Sequence, residues 1–476
     1  DKGSQIIKIN ANNHIEEVSD TKFREFVFDF VCNSNDAFES RNERFSVEEQ
    51  LRRMSTTLFN SVKSNLPLFN DKIDEFITDT EDMSYIFYKN GFLKIETDSI
   101  KFYDYSKLGG YIWKNSVLKR QFIQPDSKTS EYQVFLEKVC STRKVNGAVE
   151  FNEAKYDSMR SAIGYLLNKN KNRASVKAIV LCDEAISNSP NGGTGKSIFA
   201  DAIGKIRNST IIDGRFFDEN SPFRFETVTE ATEIINIDDC SPKFYFEKLF
   251  HVITGDLTVE KKGVSRFTIP FERSPKICFS TNHTFHGDGN SHERRIFEIE
   301  FGNYFNPNHS PNDEFKHQLF YDWNEIEYNR FDRFMSECVQ FYLRNNLVKY
   351  NTINLEEKKL IENTSPELAE YLNQYINTDT IYRTDSVLSD FNSVQNTNIT
   401  QTNLTRAINY WGNSYKKLTV LSEFDKTLKT KIFVVSTSQS MSIRDWKKSD
   451  KYKAMKNGLT TAPSDINEMK YNELMS

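Results

Sequence analysis

The stretch SNSPNGGTGKSIFADAIGKI, Ser187 to Ile206, decides how the central part of this chain folds. Before it, VKAIVLCDEA (Val176 to Ala185) is a continuous apolar run typical of a buried parallel strand. Its second half, KSIFADAIGKI, has the apolar spacing of a helix. A glycine-rich turn between a strand and a helix directs backbone N–H groups and the positive helix end toward one point. The sequence therefore predicts a phosphate-binding loop.

The loop residues supply each group that such a cradle needs. Glycines let the backbone N–H groups turn inward, a lysine reaches the terminal phosphates, and a hydroxyl binds Mg²⁺. The predicted nucleotide-binding residues are Asn191, Gly192, Gly193, Thr194, Gly195, Lys196 and Ser197. The full pattern G-x-x-x-x-G-K-[ST] would place glycine at position 190, where this chain has Pro190, which stiffens the mouth of the loop. The alternative is a glycine-rich surface turn.

Length and composition narrow the class of protein. With 476 residues the chain is too long for one ordinary domain, and its net charge of -5 gives no global sign of a nucleic-acid binder. Its six cysteines include no CxxC pair, which argues against zinc and disulfides and favours a reducing, cytoplasmic compartment. We expect no membrane partner, because no apolar run is long enough to span a bilayer. The chain starts at Asp1, so we expect a segment upstream.

The patterning predicts a multidomain α/β protein. Helical periodicity and a hairpin-like run around an Asn-Gly turn indicate an α+β N-terminal domain, and two amphipathic segments indicate a helical collar. Three short helices and a strand near the C-terminus suit a winged-helix-like module, followed by a polar, loosely ordered tail. The predicted units are 1–130 (α+β), 131–172 (collar), 173–348 (nucleotide-binding core), 349–440 (winged-helix-like) and 441–476 (tail).

Two later apolar runs end in polar residues that suit nucleotide hydrolysis. TEIINIDDC ends in Asp238 and Asp239, and such a pair can hold Mg²⁺ with one carboxylate and polarise the attacking water with the other. SPKICFSTNH carries Asn282 at its strand end, where an amide can orient that water. Acids and asparagines at strand ends also cap ordinary turns, so the prediction depends on the glycine loop that precedes them.

Cations near the end of this region suggest two further roles. SHERRIFEIEF places Arg294 and Arg295 before a strand, where an arginine could reach the γ-phosphate of a neighbouring subunit. GDLTVEKKGVSRFTIPF reads as two strands joined at Lys261, Lys262 and Gly263, with Arg266 close behind. Cations at a hairpin tip suit a single-stranded phosphate backbone, although both patterns also occur on solvated surfaces.

In this order, NGGTGKS, IINIDDC, the VEKKG hairpin, CFSTN and ERRIFEIEF resemble the motif set of superfamily 3 helicases, which have an AAA+ core. The chain is most similar to the helicase portion of viral, phage and plasmid primase-helicases, including the poxvirus-type branch. The resemblance covers Arg173 to Val348.

The resemblance implies an ATP hydrolase and DNA helicase that forms a hexameric ring and draws one DNA strand through it, 3′ to 5′, during replication. Single-stranded and forked DNA, ATP and Mg²⁺ are the implied ligands, and an upstream primase or polymerase domain or another replication protein is the implied partner. If the protein is phage-encoded, it would act in the host cytoplasm.

The resemblance also implies a role for each motif residue. Lys196 would bind the β- and γ-phosphates, Ser197 and Asp238 would hold Mg²⁺, and Asp239 would activate water, with the roles of the two acids open to exchange. Asn282 would sense the γ-phosphate, and Arg294 or Arg295 would act on a neighbouring subunit. The cations of the hairpin would contact DNA.

Two other readings stay open from the residues. A P-loop kinase or GTPase would carry a guanine-reading NKxD-type motif, but the NKNK run at 168–171 precedes the loop and lacks the Asp. An origin-binding replication initiator would use ATP only for assembly and would work through the module around QTNLTRAINYW.

Overall fold

The computed structural model of the chain describes most of its length. The described residues are 7–33, 40–65, 76–143, 148–184, 193–241, 244–283, 294–352, 355–438 and 442–457.

The N-terminal part combines helices and small sheets, as the sequence predicts. Its elements are β1 (Ile7–Ile9), β2 (His14–Glu17), α1 (Asp20–Asn33), α2 (Arg41–Asn65), β3 (Met83–Tyr88), β4 (Gly91–Glu96), β5 (Ile100–Tyr103) and β6 (Ile112–Trp113). The predicted hairpin run forms the antiparallel sheet β3-β4-β5, and the turn between β3 and β4 consists of Lys89 and Asn90. A second sheet has the order β1-β2-β6.

Residues 131–167 form two helices with a hairpin between them that the sequence does not predict. The elements are α3 (Glu131–Val139), β7 (Ser141–Arg143), β8 (Val149–Phe151) and α4 (Glu153–Leu167). Ser130 and Asn152 cap the two helices by accepting a backbone N–H with their side chains. Both helices share one hydrophobic core with strands β3 and β4 and with the central sheet. This core crosses the boundaries drawn at 130 and 172, and the collar stays a prediction.

A five-stranded parallel sheet forms the centre of the molecule. Its strands and the elements between them are β9 (Ala178–Asp183), α5 (Lys196–Gly204), β10 (Ser209–Asp213), β11 (Ile234–Cys240), α6 (Phe250–Thr254), β12 (Leu257–Lys261), β13 (Val264–Ile269), β14 (Lys276–Thr281) and β15 (Ile296–Phe301). The strand order is β10-β11-β14-β9-β15, and every neighbouring pair is parallel. The sequence thus predicts the α/β core correctly.

Both faces of the central sheet are covered, which explains the continuous apolar runs of its inner strands. Because side chains alternate between faces, Ile179 and Leu181 of β9 join the core with α3 and α4, whereas Ala178 and Val180 join a second core. The second core contains α6 and the base of the β12–β13 hairpin.

A buried lysine attaches this sheet to α4. The ammonium of Lys276 donates to the backbone carbonyl oxygens of Tyr165, at 2.6 Å, and Asn168, and it lies 4.0 Å from the centre of the Tyr165 ring. Burial lowers the pKa of Lys276 well below its usual value. The two carbonyls lie at the C-terminal end of α4, where helical carbonyls have no partner within the helix.

Two helices follow the sheet, α7 (Pro311–Phe315) and α8 (Glu325–Asn345). Helix α8 packs along α4, and Gly164 lies at the closest approach of the two helices. This contact holds the long amphipathic helix α8 against the core that supports the glycine loop.

The C-terminal module has its own hydrophobic core. Its elements are α9 (Leu355–Asn363), α10 (Pro366–Tyr375), β16 (Ile381–Arg383), α11 (Thr384–Val394), α12 (Gln401–Asn409), β17 (Thr419–Asp425) and β18 (Thr430–Ser436). The three strands form an antiparallel sheet in the order β16-β18-β17. The sequence predicts α10, α11, α12 and β18 but misses α9, β16 and β17.

The described part of the predicted loose tail is helical instead. Helices α13 (Ile443–Trp446) and α14 (Asp450–Lys456) pack against the C-terminal sheet through Trp446 and Tyr452. The Tyr452 hydroxyl donates to Asp425 at 2.6 Å. Trp446 and Tyr452 thus give this segment apolar contacts that its mostly polar composition does not suggest.

Substituting Gly164 by alanine tests the contact between α4 and α8. A Cβ atom there would lie 2.1 Å from the Cys338 carbonyl oxygen and 2.5 Å from Tyr342 Cβ, so the helices would have to move apart. Overpacking of this kind costs about 1–3 kcal/mol, and we expect a lower midpoint of thermal unfolding. Gly109→Ala is the control, because a Cβ there meets no described atom within 4 Å. Equal midpoints for the two variants would contradict the packing.

Candidate nucleotide-binding site

The glycine loop enters α5 at the carboxyl end of β9. Gly193 and Gly195 have φ angles of 97° and 104°, in the left-handed region that favours glycine. A Cβ on Gly195 would lie 2.5 Å from Cζ of Phe135, a fully buried side chain of α3. The sequence gives no sign of this support from α3. Pro190 and the predicted site residues Asn191 and Gly192 lie outside the described residues.

Lys196 is the first residue of α5, and its ammonium is almost completely buried. It donates to Asp183 at 2.5 Å and to the amide oxygen of Asn282 at 2.7 Å. Asp183, the last residue of β9, also accepts from the Thr194 hydroxyl at 2.6 Å. Ser197 is exposed beside them. The structure thus brings together the predicted lysine and the predicted strand-end asparagine, and adds Asp183 as their shared counter-charge.

The acid pair lies two strands away, at the same edge of the sheet. The ladder between β11 and β14 is irregular here, and Asp239 has a φ of 56°, which is uncommon outside glycine. Ser280 of β14 organises the pair, because its hydroxyl accepts the Asp239 N–H at 2.9 Å and donates to the carboxylate of Asp238. The Asp239 side chain is 48% exposed. One carboxylate is therefore held by the sheet while the other faces solvent.

Asn282 connects the two halves of the site. Its amide oxygen accepts from Lys196, and its amide nitrogen donates to Asp239 at 3.4 Å. The guanidinium of Arg215, which follows β10, lies 3.8 Å from the other oxygen of Asp239. A polar row therefore runs along the carboxyl edge of four strands, where parallel α/β sheets bind ligands.

Two acids near this row have shifted pKa values. Burial raises the pKa of Asp201, on α5, and the negative charge of Asp238 acts in the same direction. A hydrogen bond from Arg215 lowers the pKa of Asp213, the last residue of β10. The proton of Asp201 is therefore held more tightly than usual, whereas the charged form of Asp213 is favoured.

The donors at this edge suit Mg²⁺ that is bound partly by phosphates and water better than a metal ion that is bound only by protein side chains. Within the described ranges, no three His, Cys, Asp or Glu side chains lie close enough together to hold a metal ion. Mg²⁺ needs only one or two carboxylates when phosphates and water supply its other ligands. Asp238 and the Ser197 hydroxyl are oxygen donors of the required kind.

Arg294 and Arg295 lie at the opposite edge of the sheet. They precede β15, whose first residue, Ile296, pairs with the first residue of β9, whereas Lys196 follows the end of β9. The Arg295 guanidinium lies 4.7 Å from the centre of the Phe250 ring. The structure therefore does not bring the two predicted arginines to the glycine loop of the same chain.

The predicted cationic hairpin is present. Strands β12 and β13 pair antiparallel, with Lys262 and Gly263 in the turn and Lys261 beside it. Lys262 and Arg266 are exposed, and the Lys262 ammonium lies 5.9 Å from the centre of the Phe223 ring. The base of the hairpin is buried in the second core, so its tip is the part that can meet a ligand.

Comparisons with known proteins give little beyond this geometry. A family model described as a family of unknown function (DUF5906) matches residues 187–295, the stretch from the glycine loop to the two arginines. No curated protein matches the chain.

The solved structures similar to the chain include two of relevance. The apo C-terminal region of NrS-1 is 14% identical, with a TM-score of 0.33, over 75% of this chain and 96% of that one. A ligand-bound JCV helicase is 13% identical, with a TM-score of 0.23, over 56% and 72%. At TM-scores this low we draw neither fold nor function from these likenesses.

None of the helices in the described ranges has the length and apolar content needed to cross a bilayer.

Sequence reasoning missed three residues of this site. Asp183 lies at the end of a predicted strand, just before the glycine loop, and this position in the sequence could have identified it as a site residue. Arg215 and Ser280 carry no such signal, because their contacts with Asp239 and Asp238 depend on how β10, β11 and β14 align.

Proposed function

We propose that the chain is a P-loop ATPase of the AAA+, superfamily 3 type that drives a DNA helicase in replication. One observation carries the proposal: the buried Lys196 ammonium, at the end of a glycine loop, contacts Asn282, which in turn contacts Asp239. The row of lysine, amide and carboxylate provides one group for the phosphates, one to orient water and one to accept its proton.

ATP would take the place of the internal partners of Lys196. The ammonium would leave Asp183 and Asn282 and bind the β- and γ-phosphates, while backbone N–H groups at the start of α5 bind the same anion. Ser197 and Asp238 would hold Mg²⁺, which neutralises phosphate charge when bound. The Asn282 amide oxygen, released from Lys196, would then orient a water molecule.

Asp239 has the exposure that a water-activating group requires. Its side chain is 48% exposed, and its backbone N–H is bonded to Ser280, so the backbone that carries the carboxylate is held in place. Asp238, bonded to the Ser280 hydroxyl, is better placed to stay with the metal. We therefore propose Asp238 as the metal ligand and Asp239 as the water-activating acid.

Strand displacement on a forked DNA duplex with ATP and Mg²⁺ tests the proposal. We expect Lys196→Ala to lower ATP turnover by at least about 10²-fold and to abolish displacement, because the phosphates lose their cation. Lys101→Ala removes an exposed lysine from β5 and serves as the control. Turnover retained in Lys196→Ala would refute the P-loop assignment. ATP-dependent assembly without displacement would favour the initiator instead.

We further propose that Arg294 or Arg295 completes the site of a neighbouring subunit. Both residues lie at the amino edge of the sheet, away from the glycine loop of their own chain. A ring with head-to-tail contacts would bring this edge toward the next loop. A hexameric ring, movement 3′ to 5′, cytoplasmic location and an upstream primase or polymerase partner belong to the same proposal.

Mixing two inactive variants tests action between subunits. One variant carries Lys196→Ala, and the other carries Arg294→Ala with Arg295→Ala, which should lose on the order of 10³-fold in turnover. Mixed assemblies contain interfaces with an intact lysine facing intact arginines, so ATP hydrolysis should reappear and depend on the mixing ratio. If both variants assemble but no ratio restores hydrolysis, action between subunits is wrong.

The β12–β13 hairpin is the proposed contact to single-stranded DNA. Its exposed cations at the tip and its buried base suit a rigid element that holds phosphates by charge. Lys261, Lys262 and Arg266 would make these contacts.

We expect Lys262→Ala to remove the stimulation of ATP hydrolysis by single-stranded DNA and to reduce the salt dependence of DNA binding by about one unit of slope. Lys89→Ala is a matched control, because Lys89 occupies the same place in the two-residue turn of the β3–β4 hairpin. Stimulation that survives Lys262→Ala, or that is lost equally in Lys89→Ala, would exclude the hairpin as the specific contact.

A further inference from the structure

The C-terminal module carries a polar groove of about 890 Å³ along helix α12. The groove is bounded by Asn363 at the end of α9 and by Lys431 of β18. Its floor is one face of α12, which we call the α12 polar face: Gln401, Thr402, Thr405, Arg406 and Asn409.

The α12 polar face follows from helical spacing. Gln401, Thr405 and Asn409 repeat every four residues and therefore lie on one side of the helix. The opposite side, with Leu404 and Ile408, is buried in the core of the module. The helix is thus fixed from behind and presents only polar side chains to the groove.

In the part of the chain that the structure describes, none of the five side chains of the α12 polar face forms a hydrogen bond or ion pair, and neither does Lys431. They offer amide, hydroxyl, guanidinium and ammonium groups together. A partner with alternating donors and acceptors and with negative charge would satisfy them.

The charge around the groove is locally positive although the chain is acidic. Between Gln401 and Lys431 there are six Lys or Arg residues and only two acids, Glu423 and Asp425. Both acids are already paired with Lys447, and the contact with Asp425 is 2.8 Å long. The cations of this segment are therefore available to phosphates.

We propose that this groove binds duplex DNA, with α12 in the major groove. An α-helix with its side chains is about 10–12 Å in diameter, which fits the width of about 12 Å of the major groove of B-DNA. Arginine pairs with guanine edges, and asparagine and glutamine pair with adenine edges. The turn of β17–β18, with Lys426 and Lys429, supplies further cations for the backbone.

The same features disfavour other nucleic acids. Single strands are usually held by exposed aromatic rings, but Trp411, beside this face, is only 1% exposed, and Tyr410, which lines the groove, is half-buried. Duplex RNA has a deep and narrow major groove that side chains do not read. The proposal goes beyond the motor function and does not depend on ATP hydrolysis.

Fluorescence anisotropy with the full chain, without nucleotide, tests the proposal. The probes are a random-sequence 20-base-pair DNA duplex and a DNA single strand of the same length. We expect Arg406→Ala to weaken duplex binding about tenfold and to leave single-strand binding unchanged. Lys453→Ala, which removes an exposed cation from α14, should change neither by more than about twofold.

Arg406→Lys and Asn409→Ala separate base reading from charge. After selection of preferred duplexes from a random pool, both variants should keep most of the charge-driven affinity and lose preference at individual base pairs. Unchanged duplex affinity in Arg406→Ala, an equal loss for single strands, or equally tight binding of duplex RNA would overturn the proposal. Because Arg406 is exposed, we expect Arg406→Ala to fold. Unchanged helical content by circular dichroism would confirm this.

Discussion

The buried ammonium of Lys196 is the constraint on which the rest of the structure depends. A cation removed from water costs several kcal/mol unless charges and hydrogen bonds compensate it. Here the compensation comes from Asp183 of β9 and Asn282 after β14, and Asn282 also reaches Asp239 of β11. Three strands must therefore end at the same level, so the alignment of the parallel sheet and the geometry of the site are one physical requirement. The two apolar cores on either side of the sheet satisfy this requirement because they hold the strands in place.

The parts of the fold that follow from local sequence could be predicted, and those that follow from alignment could not. Continuous apolar runs identify β9, β11 and β14, the strand after Arg295 is also recognised, and the glycines identify the loop, because these signals lie within a few residues. The β7–β8 hairpin and β16 are too short to have such a signal. In the site, Lys196 and Asn282 are recognisable from their positions at strand and loop ends. The contact between Arg215 and Asp239 depends on two strands being neighbours, which no local pattern states.

The candidate functional residues lie at two opposite edges of the central sheet. The glycine loop, the acid pair and Asn282 lie at the carboxyl edge, and Arg294 and Arg295 lie at the amino edge. A six-residue strand such as β9 is about 20 Å long, far beyond the reach of an arginine side chain. A reaction that needs both edges thus requires two chains. The cationic hairpin packs on one face of the sheet, and α3, α4 and α8 pack on the other, so the proposed DNA contact and the internal support of the loop do not compete for the same surface.

The contact between Phe135 and Gly195 limits how this protein can be divided. The loop has no space for even a methyl group, because the phenylalanine ring of α3 fills the position directly behind it. A fragment that began at Arg173 would keep every motif residue but would leave this side of the loop exposed to water. The smallest unit able to hold the loop in shape therefore begins before the motifs, at α3, and any transplant of the central sheet and its loop into another protein has to carry that helix with it.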